Sequence, residues 1–104
     1  MKLKLEDLNE CYNVASLVDA NYVAVRVRIG AESNGEEEVI INSRKNFASK
    51  KAYYNRTYDE NLQHKISIVP ICITGFAHGD SYAEIEDKLG LKPFSLERQI
   101  KQNY

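Results

Sequence analysis

The 104-residue chain contains no tryptophan, one methionine, two prolines, two cysteines and five glycines, and these scarcities close off whole classes of protein. Two thiols, Cys11 and Cys72, cannot supply the disulfide framework of a small secreted domain. Each stands in an apolar-periodic segment, which fits reduced, buried thiols and a cytoplasmic location. Proline and glycine form no rich or low-complexity stretch, so residues 1–104 are expected to fold as a single domain with one core and no separate catalytic module. Long apolar runs are missing as well. No segment approaches the roughly 18 apolar residues of a membrane span, and Glu6 and Asp7 stand where a secretory signal needs its apolar centre, so no membrane role is expected. With 14 basic and 15 acidic residues the net charge is −1, and no field of one sign commits the chain to nucleic acid.

What is present is periodic. Leu5, Leu8, Tyr12, Ala15 and Val18 recur every three or four positions, the stripe of an amphipathic helix ending near Asp19-Ala20-Asn21. Tyr22 to Ile29 alternates, with Val23, Val25, Val27 and Ile29 on one face and Tyr22, Ala24, Arg26 and Arg28 on the other, which predicts a strand. Ser33-Asn34-Gly35 reads as a turn and Val39 to Arg44 as the returning strand. A three-residue loop pairing Ile29 with Val39 and Val27 with Ile41 is preferred over a two-residue Asn-Gly loop, because the latter sets Asn42 beside the valines. That register places Arg26, Arg28, Ile40 and Asn42 on an outer face and the glutamates at the hairpin tip.

Ser49 is the expected N-cap of a second helix with Tyr54, Tyr58 and Leu62 facing the core. Lys50 and Lys51 in its first turn oppose the helix dipole, and a partner that wants positive charge there is one reading of that order. Ile66, Ile68, Ile71 and Ile73 mark a third strand, and Pro70 within it implies an edge position or a bulge, the change of face across Pro70 favouring the bulge. A right-handed crossover lays this strand parallel to the second and beside the first, in sheet order 2-1-3. Ser81 to Glu84 forms a capping box for a short helix stopped by Gly90, and Ser95 caps a last one. The fold class is therefore α+β, in the order α-β-β-α-β-α-α: an antiparallel hairpin plus a third strand in a small three-stranded sheet, with helices packed on one face.

The chain offers little for catalysis. Cys72 and His78 are the one thiol and imidazole close in sequence, but Cys72 lies in an isoleucine-rich strand without an oxyanion motif. No metal-ligand spacing, calcium loop or phosphate loop occurs. No catalytic residue, metal or cofactor is expected, and the chain reads as a binding protein rather than an enzyme. Two charged groups are candidate contacts. Glu32, Glu36, Glu37 and Glu38 form an acidic cluster at the expected hairpin tip. Arg26, Arg28, Arg44, Lys45, Lys50, Lys51 and Arg56 form a basic group that would bind phosphates or carboxylates if it converges; the alternative reading is solvated charge balanced by the nearby glutamates.

Two resemblances add to this. Residues 81–101 resemble the helix-turn-helix of bacterial sigma factors and repressors, with Ile85, Leu89 and Leu91 at packing positions, Gly90 at the turn and Leu96 and Ile100 in the recognition-helix core. Glu86 departs from the small residue usual four positions before the turn glycine, and the structural alternative is two short helices joined by a glycine stop. Nine lysines, nine asparagines, nine isoleucines and seven tyrosines, with the run from Val39 through Leu62, are similar to small phage proteins of low-GC Gram-positive bacteria. That resemblance implies an anti-CRISPR-like inhibitor acting in the host cytoplasm, which binds a nuclease stoichiometrically and presents carboxylates where phosphates would sit. The expected partner is accordingly a protein, an RNA-guided nuclease, with nucleic acid as the alternative partner of an accessory protein or helix-turn-helix-like regulator.

Overall fold

The computed structural model describes residues 2–31 and 35–90. Along the chain run α1 (Leu5–Leu17), β1 (Tyr22–Ile29), β2 (Glu36–Ser43), a 3-10 turn at Arg44–Asn46, α2 (Phe47–Thr57), β3 (Ile71–Gly79) and α3 (Tyr82–Leu89). The three strands form one sheet in the order β2-β1-β3, with β1 antiparallel to both neighbours. The α+β class, the element order and the strand order agree with the sequence pattern; the expected helix from Ser95 lies outside the described residues. Among the described residues no helix is long and apolar enough to cross a membrane.

Helix α1 buries Leu8, Tyr12 and Ala15 from its periodic stripe, while Val18, beyond its end, is exposed. Asp7 holds the first turn by accepting a bond from the Lys4 N–H at 2.8 Å. Tyr12 and Tyr54 then meet Val23, Val25, Val27, Phe47, Tyr58, Leu62 and Ile73 in the main core, which fills the face of the sheet under α1 and α2. Helix α2 opens at Phe47, two residues before the expected cap. Ser49 instead donates its hydroxyl to the Asn46 carbonyl at 3.1 Å, and the chain has left the helix before Tyr58 and Leu62, which are buried from the following segment.

The opposite face of the sheet is not open. Ala24 and Val39 pack there against Ile85 and Leu89 of α3, so the expected placement of all helices on one face is corrected. The physical reason lies in β1, where small Ala24 gives α3 room between flanking polar side chains, and in the amphipathic spacing of Ile85 and Leu89. Ser81 Oγ accepts from the Glu84 N–H at 3.2 Å, and Gly90 closes α3 in the left-handed conformation at φ +67°, as the sequence requires.

The hairpin register also differs. Ile29 pairs with Glu36, Val27 with Glu38 and Val25 with Ile40, which excludes both short loops and leaves residues 30–35 between the strands. Asn42 is buried beside Val23 and Ile40 beside Val25, so neither is on the outer face with Arg26 and Arg28. A sheet buried on both faces explains this: Val39 and Ile41 pack under α3 as well as they would against the valines, and hydrophobicity alone no longer fixes the register. The bulge in β3 falls at Thr74, since Arg26 pairs with Gly75 but Val27 with Ile73, and not at Pro70, which precedes the strand.

Candidate functional site

Strand β2 begins with the glutamates, so Glu36, Glu37 and Glu38 lie within the ladder rather than at a free tip; Glu32 lies outside the described residues. Alternation sends Glu37 to the α3 face, where its carboxylate meets Arg26 Nε at 3.2 Å and accepts from Thr74 Oγ1 at 3.0 Å. Glu36 and Glu38 stand together on the other face, about 6.8 Å apart by strand rise.

The basic group does not converge. Arg26 is consumed within the fold: its guanidinium donates to the Leu89 carbonyl at 2.9 Å, the Thr74 carbonyl at 3.1 Å and Thr74 Oγ1 at 3.1 Å, tying the bulge to the end of α3. Arg28 follows on the same face. Arg44 and Lys45 follow the far end of β2, whose span from Glu36 to Ser43 is about 24 Å by strand rise. There Arg44 donates to Asn21 Oδ1 at 2.9 Å and approaches Asp19 at 3.9 Å. On α2, Lys51 reaches Asn13 of α1 at 2.9 Å and Lys50 covers the Tyr53 ring at 5.0 Å, local contacts that account for the lysines in the first turns. Arg56 is exposed near the end of the same helix.

The thiol and imidazole near in sequence are held apart, because an extended β3 separates Cys72 from His78 by about 20 Å. His78 instead lines a shallow groove with Cys11 and Lys88. Burial pushes the Cys11 thiol up to about 11, against a smaller opposing pull from Lys88, so thiolate is scarce there near neutral pH.

Sequence reasoning missed the segment before β3. Gln63 and His64 run beside β3, with His64 N–H donating to the Ile71 carbonyl at 2.8 Å and Ile73 N–H to the Leu62 carbonyl at 2.9 Å. The chain then turns outward. His64 Nδ1 accepts from the backbone N–H of Ile66 at 3.2 Å and of Ser67 at 3.1 Å, and the His64 ring packs edge-on against Tyr58 at 5.3 Å. This frame displays Ile66 and Ile68 at 86% and 102% relative exposure, with Val69 half exposed. The two isoleucines read as strand positions, but Pro70 ends the pairing and leaves them beyond the sheet. That proline was the available signal. The Pro70 carbonyl accepts from Gly30 N–H at 2.8 Å, which fixes this loop at the sheet end where Ile29 and Glu36 also lie.

Beside it a cleft of about 530 Å³ opens at the β3 edge. Leu3 gives it an apolar wall beside the nearly buried Ile73, Lys2 and Arg28 its positive charge, and Asn61, Gln63 and Thr74 polar groups. Comparison with known protein families, characterised proteins and solved structures finds no match to this chain. Of the helix-turn-helix resemblance, α3 and Gly90 are described, and the positions expected to form the second helix lie outside the described residues.

Proposed function

We propose that this chain is a non-catalytic protein inhibitor of phage type that binds a host defence nuclease one to one, in the anti-CRISPR manner. The observation that carries this reading is the loop holding Ile66 and Ile68. Burying an isoleucine side chain contributes roughly 1.5–3 kcal/mol, and leaving two of them in water on a braced backbone is the signature of an anchor for a partner's apolar pocket. Glu36 and Glu38 lie at the same end of the sheet and supply negative charge suited to the basic nucleic-acid channel of a nuclease. An RNA-guided nuclease of a low-GC Gram-positive host is the expected target.

The test is cleavage of labelled duplex DNA by such a nuclease with increasing inhibitor. Wild-type protein is expected to stop cleavage near equimolar addition. Ile66→Ser with Ile68→Ser should weaken inhibition at least tenfold without lowering the melting temperature, and Glu36→Lys with Glu38→Lys should weaken it separately. Undiminished inhibition by the isoleucine pair would remove the loop from the mechanism.

A second reading, a nucleic-acid-binding accessory protein, is supported by Arg44 and Lys45 at the opposite end of the sheet and by Lys50 and Lys51 on the following helix. It predicts salt-sensitive binding of labelled DNA or RNA that Lys50→Glu with Lys51→Glu abolishes. Absence of binding at about 50 mM salt counts against it.

A further inference from the structure

We infer that the cleft over Arg28 is a binding site for a phosphorylated ligand of mononucleotide size. This is independent of the inhibitor reading. Arg28 Nε is sealed from solvent yet bonds to no described residue, an unfavourable arrangement that a guanidinium cannot relieve by losing its proton. Two described carboxylates are engaged elsewhere. Glu37, opposite Arg28 across the β1-β2 ladder, is held by Arg26 and Thr74. Asp59 Oδ1 accepts the backbone N–H groups of Asn61 at 2.8 Å and Gln63 at 3.0 Å. Among the described residues the guanidinium therefore has no ion-pair partner, and Lys2 faces the same space, with Lys4 bonded to Asn61.

Size and walls narrow the class of anion. A cleft of about 530 Å³ lies in the range of small-molecule sites and far exceeds a lone phosphate. Leu3 offers an exposed apolar surface to one face of a base, while the side-chain amide of Gln63, bonded to no described residue, and that of Asn61 offer donors and acceptors to its edge. Because Nε is sealed, the grip on the phosphate falls to the terminal Nη groups of Arg28, with Lys2 as a second charge. The stem of Arg28 lies against Gly35, where a Cβ would stand 2.8 Å from Arg28 Cγ, so the arginine is seated rather than free to swing away. The phosphate belongs either to a free nucleotide or to the end of a single strand.

Calorimetric titration of the full chain at low salt distinguishes these, using AMP, adenosine, inorganic phosphate and a 5′-phosphorylated single-stranded DNA pentamer. AMP or the pentamer should bind, adenosine and inorganic phosphate at least tenfold more weakly. Tighter binding of the pentamer assigns the site to a strand end, and equal binding to the free nucleotide. Arg28→Gln should lower the affinity at least tenfold and Arg28→Lys by less, with an unchanged circular dichroism spectrum; Lys2→Ala with Gln63→Ala, at exposed or half-exposed positions, should lower it severalfold if Arg28→Gln does not fold. No binding at millimolar AMP and pentamer, binding of adenosine or inorganic phosphate equal to that of AMP, or affinity unchanged in these variants would overturn the assignment.

Discussion

Arg26 shows how one side chain redirects a reading made from charge. In sequence it belongs to a basic group; in the fold it closes α3, the Thr74 bulge and Glu37 into one network. Gly75 makes this possible, because a Cβ there would stand 2.9 Å from Arg26 Nη2. Arg26→Met should lower the unfolding free energy by about 2–3 kcal/mol, since charge-assisted bonds are lost and the Leu89 carbonyl loses its donor. Glu37→Gln should cost under about 1 kcal/mol, its carboxylate being half exposed. Urea denaturation measures both; near-equal effects would contradict the network.

Ionisation of the core gives a second prediction at this scale. Burial raises the Cys11 thiol from 9.0 to about 11 and the Tyr58 phenol from 10.0 to about 12, and it raises Tyr12 and Tyr54 further. These acids are neutral when folded, and their unfolded counterparts ionise at lower pH. The stability they contribute is therefore complete below about pH 9 and falls as pH climbs through 11 and 12. Thermal melts should show the melting temperature declining above about pH 9, less steeply in Cys11→Ala. A flat profile to pH 11 would mean that these groups are not shielded.

At the scale of elements, α1, β1 and α3 were legible because their signals are local: apolar spacing, strict alternation, a serine cap and a glycine stop. Breaking the last two should loosen α3 from the sheet. Ser81→Ala should cost about 1 kcal/mol through the lost bond to Glu84 N–H. Gly90→Ala should cost a similar amount from backbone strain, since a Cβ at Gly90 meets no atom of the described residues within 4 Å. Hydrogen exchange in α3 should rise in both variants while that of α1 stays unchanged. The register of β2 was not legible, because α3 buries the second face and so gives Val39 and Ile41 a core of their own. The Asn34-Gly35 pair also favours a shorter turn than the chain makes. Ile66 and Ile68 fit a strand pattern equally well, and only the backbone frame built by His64, a long-range consequence of the β3 edge, shows that they point to solvent.

At the scale of the molecule, the sheet separates two poles. One carries the apolar loop, Glu36, Glu38 and the Arg28 cleft; the other carries Arg44 and Lys45 with the lysines of α2 nearby. The candidate acidic and basic residues were thus named from sequence, whereas their separation depends on strand direction and register, which composition does not encode. The isoleucine loop of the inhibitor reading and the Lys50 and Lys51 contact of the accessory-protein reading consequently lie on different parts of the fold and can be separated by mutation. The most direct measurement is calorimetric titration of a purified, guide-loaded RNA-guided nuclease of a low-GC Gram-positive host with wild-type protein and with the Ile66→Ser, Ile68→Ser variant. One-to-one binding by the wild type, weakened at least tenfold in the variant, is the expected result; equal affinity of the two, or no binding by either, would contradict an inhibitor anchored through this loop.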